Sequence, residues 1–237
     1  MQTIRLLAPA LAIGLVTALA LPAKAEGAFR TPRSCKLIVT SQFSDCSVDN
    51  RYRCGDADQT YYRIETFEAD GAKSVSREDA SNAPVSLIDS EGDGMVFPSA
   101  SGTPMKTVLE TGKGSQSMQG EAHISGGSLP MSAKVRLRAT GKTVELAGKI
   151  FHKIAGDITI KMPKPLGTTK GAVVYGYLPA EDILVELEYT FDTSSGDRTF
   201  LKAVSLKGMA GFGDKRPRYG CTAKTGALAN PLQELPA

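Results

Sequence analysis

Apolar and polar residues alternate at every second position along much of the chain, the period of strands with one buried face. The clearest stretch runs from Ala133 to Met162. Ala133, Val135, Leu137 and Ala139 share one face, and Lys134, Arg136 and Arg138 share the other. Gly141-Lys142 suits a two-residue hairpin turn with Gly at its first central position. That turn sets Ala139 opposite Val144, Leu137 opposite Leu146 and Arg138 opposite Glu145, matches that a one-residue slip would destroy. A further turn at Ala155-Gly156-Asp157 keeps Ile150, His152 and Ile154 in parity with Ile158, Ile160 and Met162. The spacing therefore predicts a three-stranded meander with one apolar face and one basic face.

Further strands are predicted over residues 61–68, 85–89, 106–111, 119–125, 172–178, 183–191 and 199–207. Residues 172–178 are apolar on both faces, which places them centrally. In 183–191, Ile183, Val185, Leu187, Tyr189 and Phe191 share a face, and Glu186 and Glu188 lie opposite. No stretch carries a sustained helical period. About ten strands with short connections predict an all-β domain over residues 61–225, an antiparallel sandwich or a small barrel. Residues 26–60 are polar and cysteine-bearing and read as an irregular segment held by disulfides. Residues 226–237, with Pro231 and Pro236, read as a loose tail.

A transmembrane barrel alternates in the same way. It also needs aromatic girdles, and this chain has no Trp, 7 Tyr and 8 Phe. Lipid would reject the face bearing Lys134, Arg136, Arg138, Lys149 and Lys153. The expectation is a chain that does not span a membrane.

The N-terminus departs from this pattern. Arg5 precedes an apolar run from Leu6 to Leu21, and Ala23-Lys24-Ala25 follows. A charged start, an apolar middle and an Ala-x-Ala exit predict a secretory signal over residues 1–25, cut before Glu26. The run is shorter than the roughly 20 apolar residues of a membrane span, and no Cys stands at the exit to carry a lipid. The expected location is the periplasm or the space outside the cell.

Removal of Arg5 and Lys24 leaves 26 Lys plus Arg against 25 Asp plus Glu. A mature net charge of +1 gives no global reason to seek nucleic acid.

Export gives the four cysteines a meaning. Cys35, Cys46, Cys54 and Cys221 read as two disulfides, with three connectivities open. Three of them cluster early and one lies late, so Cys221 must tie the C-terminal segment to the N-terminal cluster. Zinc would need paired ligands at short spacing. These gaps are wider, and neither His is close in sequence.

Catalytic motifs are scarce. Neither Gly-x-Ser-x-Gly nor Ser-x-x-Lys occurs, and His123 and His152 are the only histidines. His152, between Ile150 and Ile154, reads as a buried structural residue. His123, beside Glu121, reads as a strand-surface residue. Thr140-Gly141-Lys142-Thr143 contains the end of a phosphate loop, but the upstream Gly is replaced by Arg136 and the setting is a hairpin. Asp89, Glu91 and Asp93 resemble the first half of a calcium loop. Ala100 stands where the closing Glu should fall, and Asp-Gly is first a turn signal. Asp45, Asp49, Asp56 and Asp58 form a second acidic scatter.

The residues assign no catalytic, cofactor-binding or metal-binding site, and they imply no cofactor. Basic residues remain: the meander face, then Lys161, Lys164 and Lys170 around Pro163 and Pro165, then Lys215, Arg216 and Arg218. Such patches suit an acidic envelope component or a partner protein, although a solvated strand face is the plainer account. The expected function is that of an exported, soluble, β-rich binding or accessory protein of the cell envelope. The alternatives are an enzyme acting on envelope polymer through a carboxylate pair, and a carrier with an apolar lumen for a lipid-like ligand.

Overall fold

A computed structural model describes residues 29–55, 60–124, 127–192 and 198–221. The signal segment 1–25, the tail 226–237, Asp56 and Asp58 lie outside them. Twelve strands run β1 (Lys36–Phe43), β2 (Val48–Cys54), β3 (Tyr61–Glu68), β4 (Gly71–Glu78), β5 (Pro84–Asp89), β6 (Gly94–Gly102), β7 (Lys113–Ile124), β8 (Gly127–Leu146), β9 (Lys149–Lys161), β10 (Thr168–Leu178), β11 (Ile183–Phe191) and β12 (Arg198–Leu206). Every neighbour is antiparallel, and β1 pairs with β12, so the sheet closes into a barrel without a free edge. Among the described residues one short helix, α1 (Met105–Thr111), follows β6.

The all-β class and the barrel alternative are therefore met, with two strands more than expected. The segment 26–60 is not wholly irregular: β1 and β2, of 8 and 7 residues, lie within it. Both strands carry polar residues on each face, so their alternation is weak in apolarity.

The predicted meander is two long strands instead. The β8–β9 turn falls at Ala147-Gly148, both at positive φ, which suits the twist of a tight hairpin. Gly141-Lys142 lies in an irregularity within β8, and Arg138 faces Lys113 and Ala155 rather than Glu145. Ala155-Gly156-Asp157 continues β9. Gly156 is there for room: a Cβ would stand 2.8 Å from Val173 Cγ1 and 3.1 Å from Val135 Cγ1.

Residues 106–111, expected as a strand, belong to α1. Pro104 starts it, and Met105 and Val108, three apart, both bury. Alternation on β8 is otherwise as read: Val135 and Leu137 are buried, and Lys134, Arg136 and Arg138 are exposed.

The disulfides join Cys35 to Cys54 and Cys46 to Cys221. The second ties a C-terminal strap, residues 207–221, across the outside of β1 and β2. Gly213 N–H donates to Thr40 Oγ1 at 2.9 Å, Asn50 Nδ2 to the Asp214 carbonyl at 3.0 Å, and Arg218 N–H to Gln42 Oε1 at 2.9 Å. Thr40, Gln42 and Asn50 are thus buried polar residues on an outer face, each satisfied by the strap or its neighbour strand.

No helix among the described residues is long and apolar enough to cross a membrane.

Candidate functional site in the barrel interior

The barrel interior has two halves. On the side of β6–β10, inward residues and α1 form a filled core that includes Phe97, Met105, Met118, Val135, Leu137 and Ile154. Between that core and β1–β5 a cavity of about 340 Å³ remains, closed on the core side by Ile158 of β9, Val173 and Tyr175 of β10 and Leu184 of β11. Alternate residues line it, which identifies the inward face of each strand: Ser41 and Phe43 from β1, Asp49 and Arg51 from β2, Ser74, Ser76 and Glu78 from β4.

Glu186 faces the cavity as well, contrary to the simple alternation of β11. The register slips by one residue at Leu187, so that Tyr175 opposes Glu186 while Val174 opposes Glu188. Glu186 therefore turns inward beside Tyr175. Glu188 points out and meets Arg198.

The cavity brings three carboxyls, Asp49, Glu78 and Glu186, around one guanidinium, that of Arg51. Arg51 Nη2 donates to Glu78 Oε2 at 2.5 Å and to Asn82 Oδ1 at 2.5 Å, and its guanidinium lies 4.7 Å from the Tyr62 ring centroid. Arg51 Nε has no hydrogen-bond partner among the described residues. Burial pushes the Asp49 carboxyl up to about 7, the neighbouring Asp45 carboxylate adds to the shift, and a Thr66 hydrogen bond and Arg51 oppose it. Burial likewise pushes Glu186 up to about 8, reinforced by Asp49 and Glu78 and opposed by Arg51. Near neutral pH Glu186 therefore holds its proton and Asp49 is about half protonated, and the Asp49 charge helps keep Glu186 protonated.

The two ends of the barrel are differently made. Asp45, in the β1–β2 turn, accepts from Ser47 at 2.6 Å and from Tyr189 and Thr199 at 3.2 Å each. At the opposite end Asp182 accepts from Tyr177 at 2.8 Å, from Arg53 at 3.2 Å and from Tyr62. That cluster fastens the β10–β11 turn to β2 and β3, and α1 buries Met105 and Val108 at the same end.

Of the charged cavity residues the sequence offered Asp49 only within an acidic scatter, and it set Glu186 on the face opposite Val185 and Leu187. Arg51, Glu78 and Glu186 carry no local motif, since strands far apart in the chain bring them together. His152 is exposed rather than buried, because the β8–β9 hairpin projects past the filled core at its position. His123 pairs with Ser128, whose Oγ lies 2.7 Å from His123 Nδ1. Asp89 Oδ1 accepts from the backbone N–H groups of Glu91 and Asp93 at 2.9 and 3.0 Å, the geometry of a turn. Among the described residues, no three His, Cys, Asp or Glu side chains gather as metal ligands.

The chain matches no protein family, no curated protein and no solved structure.

Proposed function

We propose that the protein is an exported binding protein of the cell envelope that holds a small polar ligand, rich in hydrogen-bond donors, inside its barrel. The reading rests on one observation: a cavity of about 340 Å³ lined by Asp49, Glu78, Glu186 and Arg51 within an otherwise filled interior. Asp49 and Glu186, with raised pKa values, both donate and accept as acids and become pure acceptors once a bound cation draws off their protons, so a polyhydroxy compound or an amine complements them. The unpartnered Arg51 Nε adds a donor that one ligand oxygen would satisfy. The volume lies at the lower end of small-molecule pockets. Two disulfides and the Ala-x-Ala exit at residue 25 support a compartment outside the cytoplasm.

A lipid-like guest fits less well: Val39, Phe43, Ile64, Leu87 and Val173 give the cavity apolar wall, but an acyl chain would leave Asp49, Glu78, Glu186 and Arg51 desolvated without a partner. Paired carboxyls with raised pKa values also suit acid–base hydrolysis. A chamber of this size inside a closed barrel, however, excludes a polymer chain.

The test is native mass spectrometry of the mature protein from its own host, beside Asp49→Asn/Glu186→Gln. The reading expects a small molecule retained by the first and lost from the second. A bare protein that no amine or polyol stabilises against heat would overturn it.

A further inference from the structure

The outer wall of β7–β10 carries a basic patch whose members the register brings together. Arg138, Arg136 and Lys134 point outward at alternate positions of β8, about 7 Å apart. Lys113 sits opposite Arg138 on β7, and Lys170 lies two strands from Lys134, across Thr159. Lys161, opposite Ser132, extends the patch toward the end of β9. All six are exposed, and none makes an ion pair among the described residues. Asp157, opposite Arg136, and Asp192, whose N–H donates to the Lys170 carbonyl at 2.8 Å, are the carboxylates beside them. On other parts of the wall Lys73, Lys149 and Arg198 each meet a carboxylate.

The mature charge of +1 understates this surface. Asp49, Glu78 and Glu186 lie inside the barrel against a single cation, Arg51, so the exterior is more positive than the composition suggests. Unpaired cations clustered on one face raise a potential that attracts an extended polyanion.

Shape narrows the partner. A convex barrel wall offers a line of contact rather than a plane, and the three β8 cations form such a line. At Lys161 the line opens into a groove whose floor is Val96, Pro98, Met131 and Met162 and whose polar groups are Gln119, His123 and Ser132, with Glu121 on its wall. Amide, imidazole and hydroxyl groups there suit sugar hydroxyls, which a lipid headgroup layer does not present along a groove.

We propose that this wall docks a linear acidic polysaccharide, with carboxylates on the β8 cations and sugar hydroxyls in the groove. It is independent of the ligand inside the barrel.

Binding of the mature, disulfide-intact protein to alginate, a polyuronate, is the test, with vesicles of phosphatidylglycerol in phosphatidylcholine as the second arm. Alginate should bind at low salt and weaken steeply as salt rises. Lys134→Gln/Arg136→Gln/Arg138→Gln should lose roughly tenfold or more of that affinity with a shallower salt dependence. The charge-preserving Lys134→Arg/Arg136→Lys/Arg138→Lys should retain it, as should Lys73→Gln/Lys202→Gln on other strands. No affinity for alginate at low salt, equal affinity in the triple Gln variant, or binding to the vesicles in preference to alginate would each overturn the proposal.

Discussion

The two halves of the barrel use one backbone pattern for opposite ends. On β8, inward Ala133, Val135 and Leu137 pack into a filled core, and outward lysine and arginines meet water. On β2, inward Asp49 and Arg51 face a polar cavity, while outward Asn50 lies buried under the strap. One half is held by apolar packing, which is non-directional and scales with area. The other forgoes much of that packing to keep a chamber, and both disulfides and the strap are found there. The comparison teaches that the staples stand beside the chamber, where β1 and β12 add Val39 and Leu206 to a smaller apolar cluster around Phe151.

Removing a staple should therefore have the largest effect, and it should be local. The Cys46–Cys221 bridge closes a loop over a separation of 175 residues, for which the chain-entropy relation gives about 5 kcal/mol. The Cys35–Cys54 bridge spans 19 residues and gives about 3 kcal/mol. Cys46→Ser/Cys221→Ser should lower the denaturation midpoint more than Cys35→Ser/Cys54→Ser. Hydrogen exchange should quicken first in β1 and β2, with β8 and β9 still protected. Uniform loss of protection around the barrel would break the division between a packed half and a stapled half.

The same division explains what could be read from the chain. Alternation at Ala133–Ala139 was legible because one face there is apolar and the other charged. β1 and β2 were illegible because neither face is consistently apolar: the cavity polarises one side and the strap covers the other. Gly156 looked like a turn residue, although its missing side chain serves the contact with Val173 and Val135. Glu186 was assigned to the solvent face because a one-residue slip at Leu187 cannot be seen in a periodic pattern. Cysteine arithmetic succeeded where periodicity failed, since it required Cys221 to return to the N-terminal cluster whatever lay between.

Truncation in the packed half should rank next. Ile154 is fully buried in the filled core, so Ile154→Ala should destabilise by about 3 kcal/mol through lost packing and a cavity. Ser74→Ala and Ser76→Ala, inward on β4 at the chamber, should each stay within about 0.5 kcal/mol. Urea melts of the three variants would measure the contrast, and equal losses would mean that the chamber wall packs as tightly as the core.

The subtlest consequence concerns protons. Asp49 rises from 3.8 to about 7 and Glu186 from 4.5 to about 8 in the folded protein. Between those values the native state holds protons that the unfolded chain has released. Linkage then requires stability to fall as pH rises through that window and to level off above it. The direction is opposite to that of a carboxylate held by an ion pair. Asp49→Asn/Glu186→Gln removes both titrations, so the variant should show a flatter stability profile from about pH 4 to pH 8. At the alkaline end it should exceed the parent by about 1–2 kcal/mol, a figure reduced for the partial solvation of the cavity. Near pH 4 the two should nearly coincide. Urea denaturation across that range measures the difference, and parallel curves would mean that both carboxylates ionise in the chamber as freely as in water. In that case the polar half would be a solvated channel rather than a chamber that holds its charges against burial.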